Sequence, residues 1–351
     1  MILYILPIVI IILYYILNKT KLYKYNSNNI LFCCIVFTIF TVLQGFRAYD
    51  IGTDTNNYVH IYNVIKNASW IDIITRKAVD VEIGYGILMK IIAMLNMPER
   101  YFLIIIAGII NAGFMYFVYK NSKNPLLSVL IFMGAEFFIL SFTALRQMIA
   151  VIIILYAYMF IEKKENLKAF FTIIFASLFH VTALIFLPVI LFRYVKINRK
   201  ILICIVLIFF VVQLCGMPVL QAIIGQTIYS RYLPSNGASG GETQLLVILV
   251  YTAIGIVLYY KNGKVGTNNI LILLMIMAIF IQGFACRIQL MGRLIWYFYI
   301  FNVIYLPNLI VSIKEDKVRN GMYILIAGLN IAQYLLFSIK LYNIEPYKFI
   351  K

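Results

Sequence analysis

The sequence predicts an all-α polytopic membrane protein of roughly 11–13 transmembrane helices, with one helix in the outer interface and mobile extracytoplasmic loops. Three observations lead there. Of 351 residues, 64% are apolar and 12% charged, against about 25% charged in a soluble domain. Apolar runs near the length of a bilayer crossing recur from one end to the other. Lysines collect in the short gaps between those runs, as cytoplasmic loops do under the positive-inside rule. Residues 1–351 are therefore expected to form a single integral membrane domain, with no room for a sizeable soluble one.

A spanning helix needs about 20 apolar residues, fewer where the bilayer is thin. The first run, MILYILPIVIIILYYIL, has no basic residue before it and no small-residue cleavage site. It is expected to remain as a membrane helix rather than be removed as a signal peptide. With it, spans are expected at 1–17, 30–46, 101–119, 126–142, 144–161, 166–179, 181–195, 201–218, 244–260, 269–286, 292–311 and 321–340, the pairs 126–161 and 166–195 reading as tight hairpins. The gaps 18–28, 120–124, 162–168, 193–200, 261–264 and 314–319 hold 17 of the 30 Lys and Arg, and they are placed in the cytoplasm. Alternating crossings fit everywhere except 82–96, EIGYGILMKIIAMLN. A crossing there would turn the later basic gaps outward. It is read as lying in the outer interface, or dipping in and returning, with Lys90 toward the polar side. Both termini then face outward. The polar segments 47–81 and 221–243 become extracytoplasmic loops, and LPSNGASGGET in the second should be mobile.

The net charge of +17 is explained by these loops, and no basic stripe on a soluble face points to nucleic acid. The five cysteines, Cys33, Cys34, Cys204, Cys215 and Cys286, lie in or at the ends of apolar segments. They form no C-x-x-C pair and read as packing residues rather than a disulfide or zinc site.

Arginine is distributed differently from lysine. The cytoplasmic gaps hold fourteen Lys and three Arg. Arg47, Arg76, Arg100, Arg146, Arg231, Arg287 and Arg293 all fall at or near the outer helix ends. Lysine suffices to set orientation, whereas arginine offers a planar fork for phosphate oxygens and stays charged when partly buried. Each arginine alone could be an interfacial anchor or the partner of a nearby carboxylate. Their convergence on one face points to an anionic ligand held there. Arg146 lies in the turn SFTALRQ. Arg287 and Arg293 flank the turn CRIQLMGR, and Arg231 and Tyr232 open the loop at YSRYLP. His180, in SLFHVTALIFLP, sits at a hairpin turn among apolar residues, where a capping or packing role competes with a functional one. Asp54 and Glu82 adjoin glycine-containing turns and could reach back over the membrane surface. Glu136, in MGAEFFIL, is an intramembrane carboxylate, either functional or paired with an arginine.

In order along the chain these segments resemble the motifs of the EpsG-like family, a branch of the Wzy-type polysaccharide polymerases. RAYDIGTDTNNY resembles its R-x(4)-G-x-D-x(3)-Y entry, from Arg47 through Gly52 and Asp54 to Tyr58. VEIGYGIL is similar to its E-x-G-Y element, ALRQMIA to its arginine–glutamine turn, and LFHVTALIFLP to its F-H-x-S/T-A-L hairpin, with Thr182 where serine is common. SRYL, the late arginines and the ending NIEPYKF are similar to the remaining elements. The resemblance spans roughly residues 30 to 347.

It implies a GT-C-like membrane fold and a reaction at the outer face of the bacterial cytoplasmic membrane. There, oligosaccharide repeat units on polyprenyl diphosphate are joined into capsule, exopolysaccharide or O-antigen. The chain moves from its carrier to the sugar end of the next lipid-linked unit. The partners implied are that lipid-linked oligosaccharide, the bilayer, and chain-length regulator and flippase proteins. On this reading Arg47, Arg146, Arg287 and Arg293 bind the diphosphate, while Arg231, Tyr232 and Tyr58 line the substrate. The general base is sought first at His180, then Glu82, then Asp54. No cofactor or metal is expected, since arginine can neutralise the diphosphate and no D-x-D motif occurs. A flippase would need charge along a path through the membrane, which is sparse here. A membrane acyltransferase would need flanking motifs that are absent. A polysaccharide ligase shares the donor chemistry and stays open.

Overall fold

The computed structural model describes residues 2–17, 27–198, 200–205, 207–209, 211, 213, 222, 241–263 and 268–349. Among these residues the secondary structure is helical, apart from one isolated antiparallel bridge between Arg47 and Phe349. The helices are α1 (Ile2–Leu17), α2 (Ser27–Gly45), α3 (Thr55–Asn67), α4 (Trp70–Ile74), α5 (Ile83–Ala93), α6 (Glu99–Asn121), α7 (Pro125–Gly134), α8 (Phe137–Thr143), α9 (Leu145–Glu162), α10 (Asn166–Ser177), α11 (Glu242–Lys261), α12 (Asn269–Ala285), α13 (Trp296–Tyr299), α14 (Asn302–Val311) and α15 (Asp316–Leu336). Three 3-10 helices, Val181–Tyr194, Gln289–Arg293 and Ser338–Lys340, lie among them, and residues 200–205 and 207–209 are helical as well.

Among the described residues five helices are long and apolar enough to cross a membrane: Glu99–Asn121, Leu145–Glu162, Glu242–Lys261, Met291–Val311 and Asp316–Lys340. A sixth is reached if α7 and α8 count as one span bent by 56°. This is a polytopic all-α membrane protein. Among the shorter apolar helices are the one at Asn29–Gly45, α5, α10, α12 and the 3-10 helix Val181–Tyr194. The last has fourteen residues, and at about 2.0 Å rise per residue a 3-10 helix of that length reaches about 28 Å. Helix α5 has eleven residues, about 16 Å, well short of a hydrocarbon core of about 30 Å.

The chain divides into two compact units. The first comprises Met1–Leu184 and Ile313–Lys351, the second Ile185–Ser312. In the first, α2 packs closely on α6, where a Cβ at Gly45 would lie 2.8 Å from Ile104 Cα. Helix α7 meets α15 in the same way, a Cβ at Gly134 falling 2.8 Å from Asn330 Cα. In the second unit, α11 lies against α14. Tyr305 donates to the carbonyl of Thr252 (3.1 Å), and Asn262 donates to Ser312 Oγ (2.8 Å). Phe186 stacks with Phe301 at a centroid distance of 5.7 Å.

Two stretches differ from what their composition suggests. Residues 47–81 look like a polar loop, yet α3 buries Thr55, Tyr58, Val59, Tyr62 and Ile65 on one face, the spacing of an amphipathic helix. The run 126–142 looks like one straight span, yet it breaks at Ala135 and Glu136. Glu136 takes a left-handed conformation (φ 70°) and caps α8. The close approach of α7 to α15 holds Gly134 on one side of that break.

Candidate active site

The site grows from the loop that precedes α3. Gly52 has φ 86°, a conformation that disfavours a side chain. A Cβ there would stand 2.9 Å from the carbonyl oxygen of Phe142, at the end of α8. Thr55 Oγ1 donates to the carbonyl of Ile51 (2.6 Å), and the hydroxyls of Thr53 and Thr143 lie 2.6 Å apart. Asp54, the N-cap position of α3, accepts a 3.4 Å bond from Thr143 Oγ1. The turn G-T-D is thus fastened to Thr143, three residues before Arg146.

Arg47 anchors the same junction from beneath. It is wholly buried. Its guanidinium donates to the carbonyl of Gln44, to that of Phe142 (2.7 Å) and to Thr55 Oγ1 (3.3 Å). Gln44 in turn donates to Phe138 O (3.2 Å) and accepts from Asn111 (2.8 Å). The unpaired carbonyls at the C-terminal end of a helix need donors, and Arg47 supplies one to α8 at Phe142, while Gln44 bonds the start of the same helix at Phe138. This departs from the expectation of an arginine turned to a phosphate: the fork of Arg47 is spent inside the protein. The C-terminal segment closes over the same loop. Ala48 N donates to Lys348 O (2.8 Å), Gly52 N to Asn343 O (3.2 Å) and Tyr347 Oη to Leu43 O (2.7 Å).

Glu82 is the centre of the charged cluster. It caps α5 with extended backbone. Its Oε2 lies 2.5 Å from Arg146 Nη1, at the start of α9, and its Oε1 lies 2.8 Å from His180 Nδ1. The side chains of Glu82 and His180 are only 11% and 16% exposed. The backbone sets this meeting. Gly84 N donates to the carbonyl of Leu178 (2.9 Å), and a Cβ on Gly84 would fall 2.8 Å from that oxygen and from Leu178 Cβ. Only a residue without a side chain lets α5 lie so close to the turn carrying His180. Burial pushes the Glu82 carboxyl up, but the hydrogen bond from His180 and the charge of Arg146 outweigh it and hold the group at about 2. Glu82 is therefore anionic at neutral pH, and His180 Nδ1 must carry the proton it donates.

Tyr58, buried on α3, faces Arg146 within hydrogen-bonding reach and also feels the charge of Asp54. Burial pushes its phenol up. Tyr85, wholly buried on α5, meets the Tyr58 ring edge-on at 5.9 Å. Arg146 Nε is buried without a hydrogen-bond partner. The first unit thus joins Asp54, Tyr58, Arg146, Glu82 and His180 in one string beneath which Arg47 lies. Periodicity did not single out Tyr85, Gln44 or Asn111. The only hint for Tyr85 was its place beside Glu82 in EIGYG.

The remaining arginines lie elsewhere. Arg76 forms an exposed pair with Asp80 (3.9 Å), and Arg100 lies over the Tyr101 ring at 5.5 Å. Arg287 and Arg293 belong to the second unit and are exposed, after α12 and at the end of the 3-10 helix Gln289–Arg293. Arg231 and Tyr232, with most of the loop 221–243, lie outside the described residues. No group of three or more potential metal ligands occurs among the described residues.

The sequence model of the EpsG family matches residues 30–349, nearly the whole chain. No curated protein and no solved structure matches.

Proposed function

The chain belongs to the EpsG family, and from that premise we propose that it polymerises lipid-linked oligosaccharide repeat units at the outer face of the bacterial cytoplasmic membrane. The observation that carries this reading is the Glu82 carboxylate held between Arg146 and His180. An acceptor hydroxyl of one unit attacks the anomeric carbon of the chain on polyprenyl diphosphate. The new C–O bond forms as the bond from that carbon to the diphosphate oxygen breaks. The hydroxyl proton passes to His180, and polyprenyl diphosphate leaves with the electron pair.

His180 suits the base. With Nδ1–H on Glu82, the neutral ring presents the lone pair of Nε2, and a carboxylate behind an imidazole both orients it and stabilises the imidazolium that forms. Glu82, held at about 2, is too weak a base to take that proton itself, so its role is to position His180 and Arg146. Arg146 is the proposed diphosphate ligand in this unit. Its remaining donors would stabilise charge growing on the leaving group in a place of low dielectric. Arg47 is proposed to set the height of α8, and with it Arg146, rather than to touch phosphate. Asp54 and Tyr58 are proposed to orient sugar and Arg146. Arg287 and Arg293 are proposed to bind the diphosphate, and Arg231 and Tyr232 to line the substrate.

The test is turnover of a purified polyprenyl-diphosphate-linked repeat unit by the protein in nanodiscs, read as polymer length and rate. His180→Gln and Arg146→Lys should fold at normal levels and make no ladder. A normal ladder from both variants would remove this chemistry from the cluster.

A further inference from the structure

Helix α4 and the end of α5 carry an apolar surface that the site does not use. Trp70, Ile71 and Ile74 on α4 are exposed, Ile71 to 70%. So are Met94, Leu95 and Met97 after α5, Met94 to 63%. The two sets adjoin. Lys90 Nζ donates to the carbonyls of Ile65 (3.4 Å), Lys66 (3.0 Å) and Ala68 (2.7 Å). Ala68 stands two residues before Trp70, and Lys90 stands one helical turn before Met94. Lysine at the C-terminal carbonyls of α3 satisfies groups the helix leaves open, and it pins the start of α4 beside the end of α5. Ile73, the buried residue of α4, faces Gly86 of α5, leaving the other side of α4 outward.

Two features of the same region indicate what covers this surface. Glu99, two residues after Met97, begins α6, which is long and apolar enough to cross a membrane. The end of α5 therefore lies where α6 enters the bilayer. Near them in the chain stand the exposed cations Lys66, Lys77 and Arg100, the exposed pair Arg76–Asp80, and two carboxylates, Asp72, which accepts from Ser69, and Glu99 at the start of α6. Tryptophan and aliphatic side chains with lysine and arginine close by suit the boundary between acyl chains and phosphate headgroups. We infer that α4 and the 94–97 turn form a wedge that inserts into the outer leaflet, its occupant being phospholipid. Because α3, α4 and α5 are linked through Lys90, the wedge would fix the depth of Tyr58 and Glu82. That consequence rests on the polymerase reading; the insertion itself does not.

Trp70 and Trp296 are the two tryptophans, so Trp296→Phe leaves Trp70 as a single reporter. The protein is reconstituted in phosphatidylcholine–phosphatidylglycerol vesicles, with and without bromine on the acyl chains. Bromolipid should quench Trp70 emission about two-fold, while aqueous iodide has little effect. Ile71→Ser with Ile74→Ser in the same background should reverse that order. Quenching of Trp70 by iodide and not by bromolipid would overturn the wedge, whether water or a protein partner meets this face in cells. Should Trp296→Phe fail to fold, the emission lost between the wild type and Trp70→Phe gives the same readout. Polymerase activity enters none of these measurements, so failure here leaves the proposed function standing, and the reverse.

Discussion

At the scale of single residues, one carboxylate is asked to serve two partners, the Arg146 guanidinium and the His180 ring. Glu82 is nearly buried and held at about 2. A carboxyl whose folded value lies below its ordinary 4.5 stabilises the fold fully above about pH 4.5, and that contribution fades as pH falls toward 2. Glu82→Gln is therefore expected to cost about 3 kcal/mol at neutral pH, because it leaves Arg146 and His180 without their anion. Melting in detergent should show the gap between wild type and variant widest near neutrality, and less than half as wide by about pH 3. A gap independent of pH would mean that the carboxylate charge is not what stabilises. Arg47 offers the opposite test. Its fork bridges Gln44 O, Phe142 O and Thr55, a geometry an ammonium cannot reproduce. Arg47→Lys should lower the melting temperature and the yield of folded protein, whereas Arg146→Lys should lose polymer at normal yield. Arginine type and position were legible in the sequence. Burial was not: RAYDIG reads as an exposed lip, and only folding shows that Arg47 points inward while Arg146 does not.

At the scale of elements, the site depends on three helix ends brought together by close backbone contact. Glu82, Arg146 and His180 each stood out in the sequence as a charged or titratable residue at a turn. Their pairing could not be read there, since partners separated by 64 and 98 residues leave no periodic trace. What the sequence does carry is the glycine that permits the meeting. Gly84→Ala places a methyl 2.8 Å from Leu178 O, which forces α5 away from the turn before His180. A shift near 1 Å at a catalytic group can cost about 100-fold, so the rate should fall by about that factor, with a smaller loss in melting temperature. Comparable turnover in Gly84→Ala and wild type would show that the Glu82–His180 distance does not govern the rate. The bend between α7 and α8 illustrates the converse limit. No proline marks it, and a run as apolar as 126–142 predicts a straight helix. It bends at a left-handed Glu136 beside the contact of Gly134 with Asn330, a partner supplied by α15 far along the chain.

At the scale of the whole chain, composition alone identified the membrane class, because apolar runs this dense have no soluble solution. The layout within the membrane was less legible, since short apolar helices such as α5 and α10 differ from spans only in length and company. The first unit draws its residues from both ends of the chain, and its closure can be tested directly. The segment after Tyr342 returns to the loop before α3 through Gly52 N to Asn343 O, Ala48 N to Lys348 O, and Tyr347 Oη to Leu43 O. It adds an ion pair between Lys348 and Asp50 at 2.5 Å. These contacts differ in worth. The ion pair is more than half exposed on both sides, and such pairs contribute about 0–1 kcal/mol. The backbone bonds and the Tyr347 hydroxyl are better shielded and bear on the loop that carries Arg47 and Asp54. Ending the chain at Tyr342 should therefore abolish polymer formation and open the 47–54 loop to protease, while Lys348→Met should stay within about two-fold of wild type. Tyr347→Phe, which removes one bond worth about 1 kcal/mol, should fall between them. Activity surviving the truncation would show that the loop holds Asp54 and Arg47 in place without the tail, and the tail would then dock on residues 43–52 for stability alone.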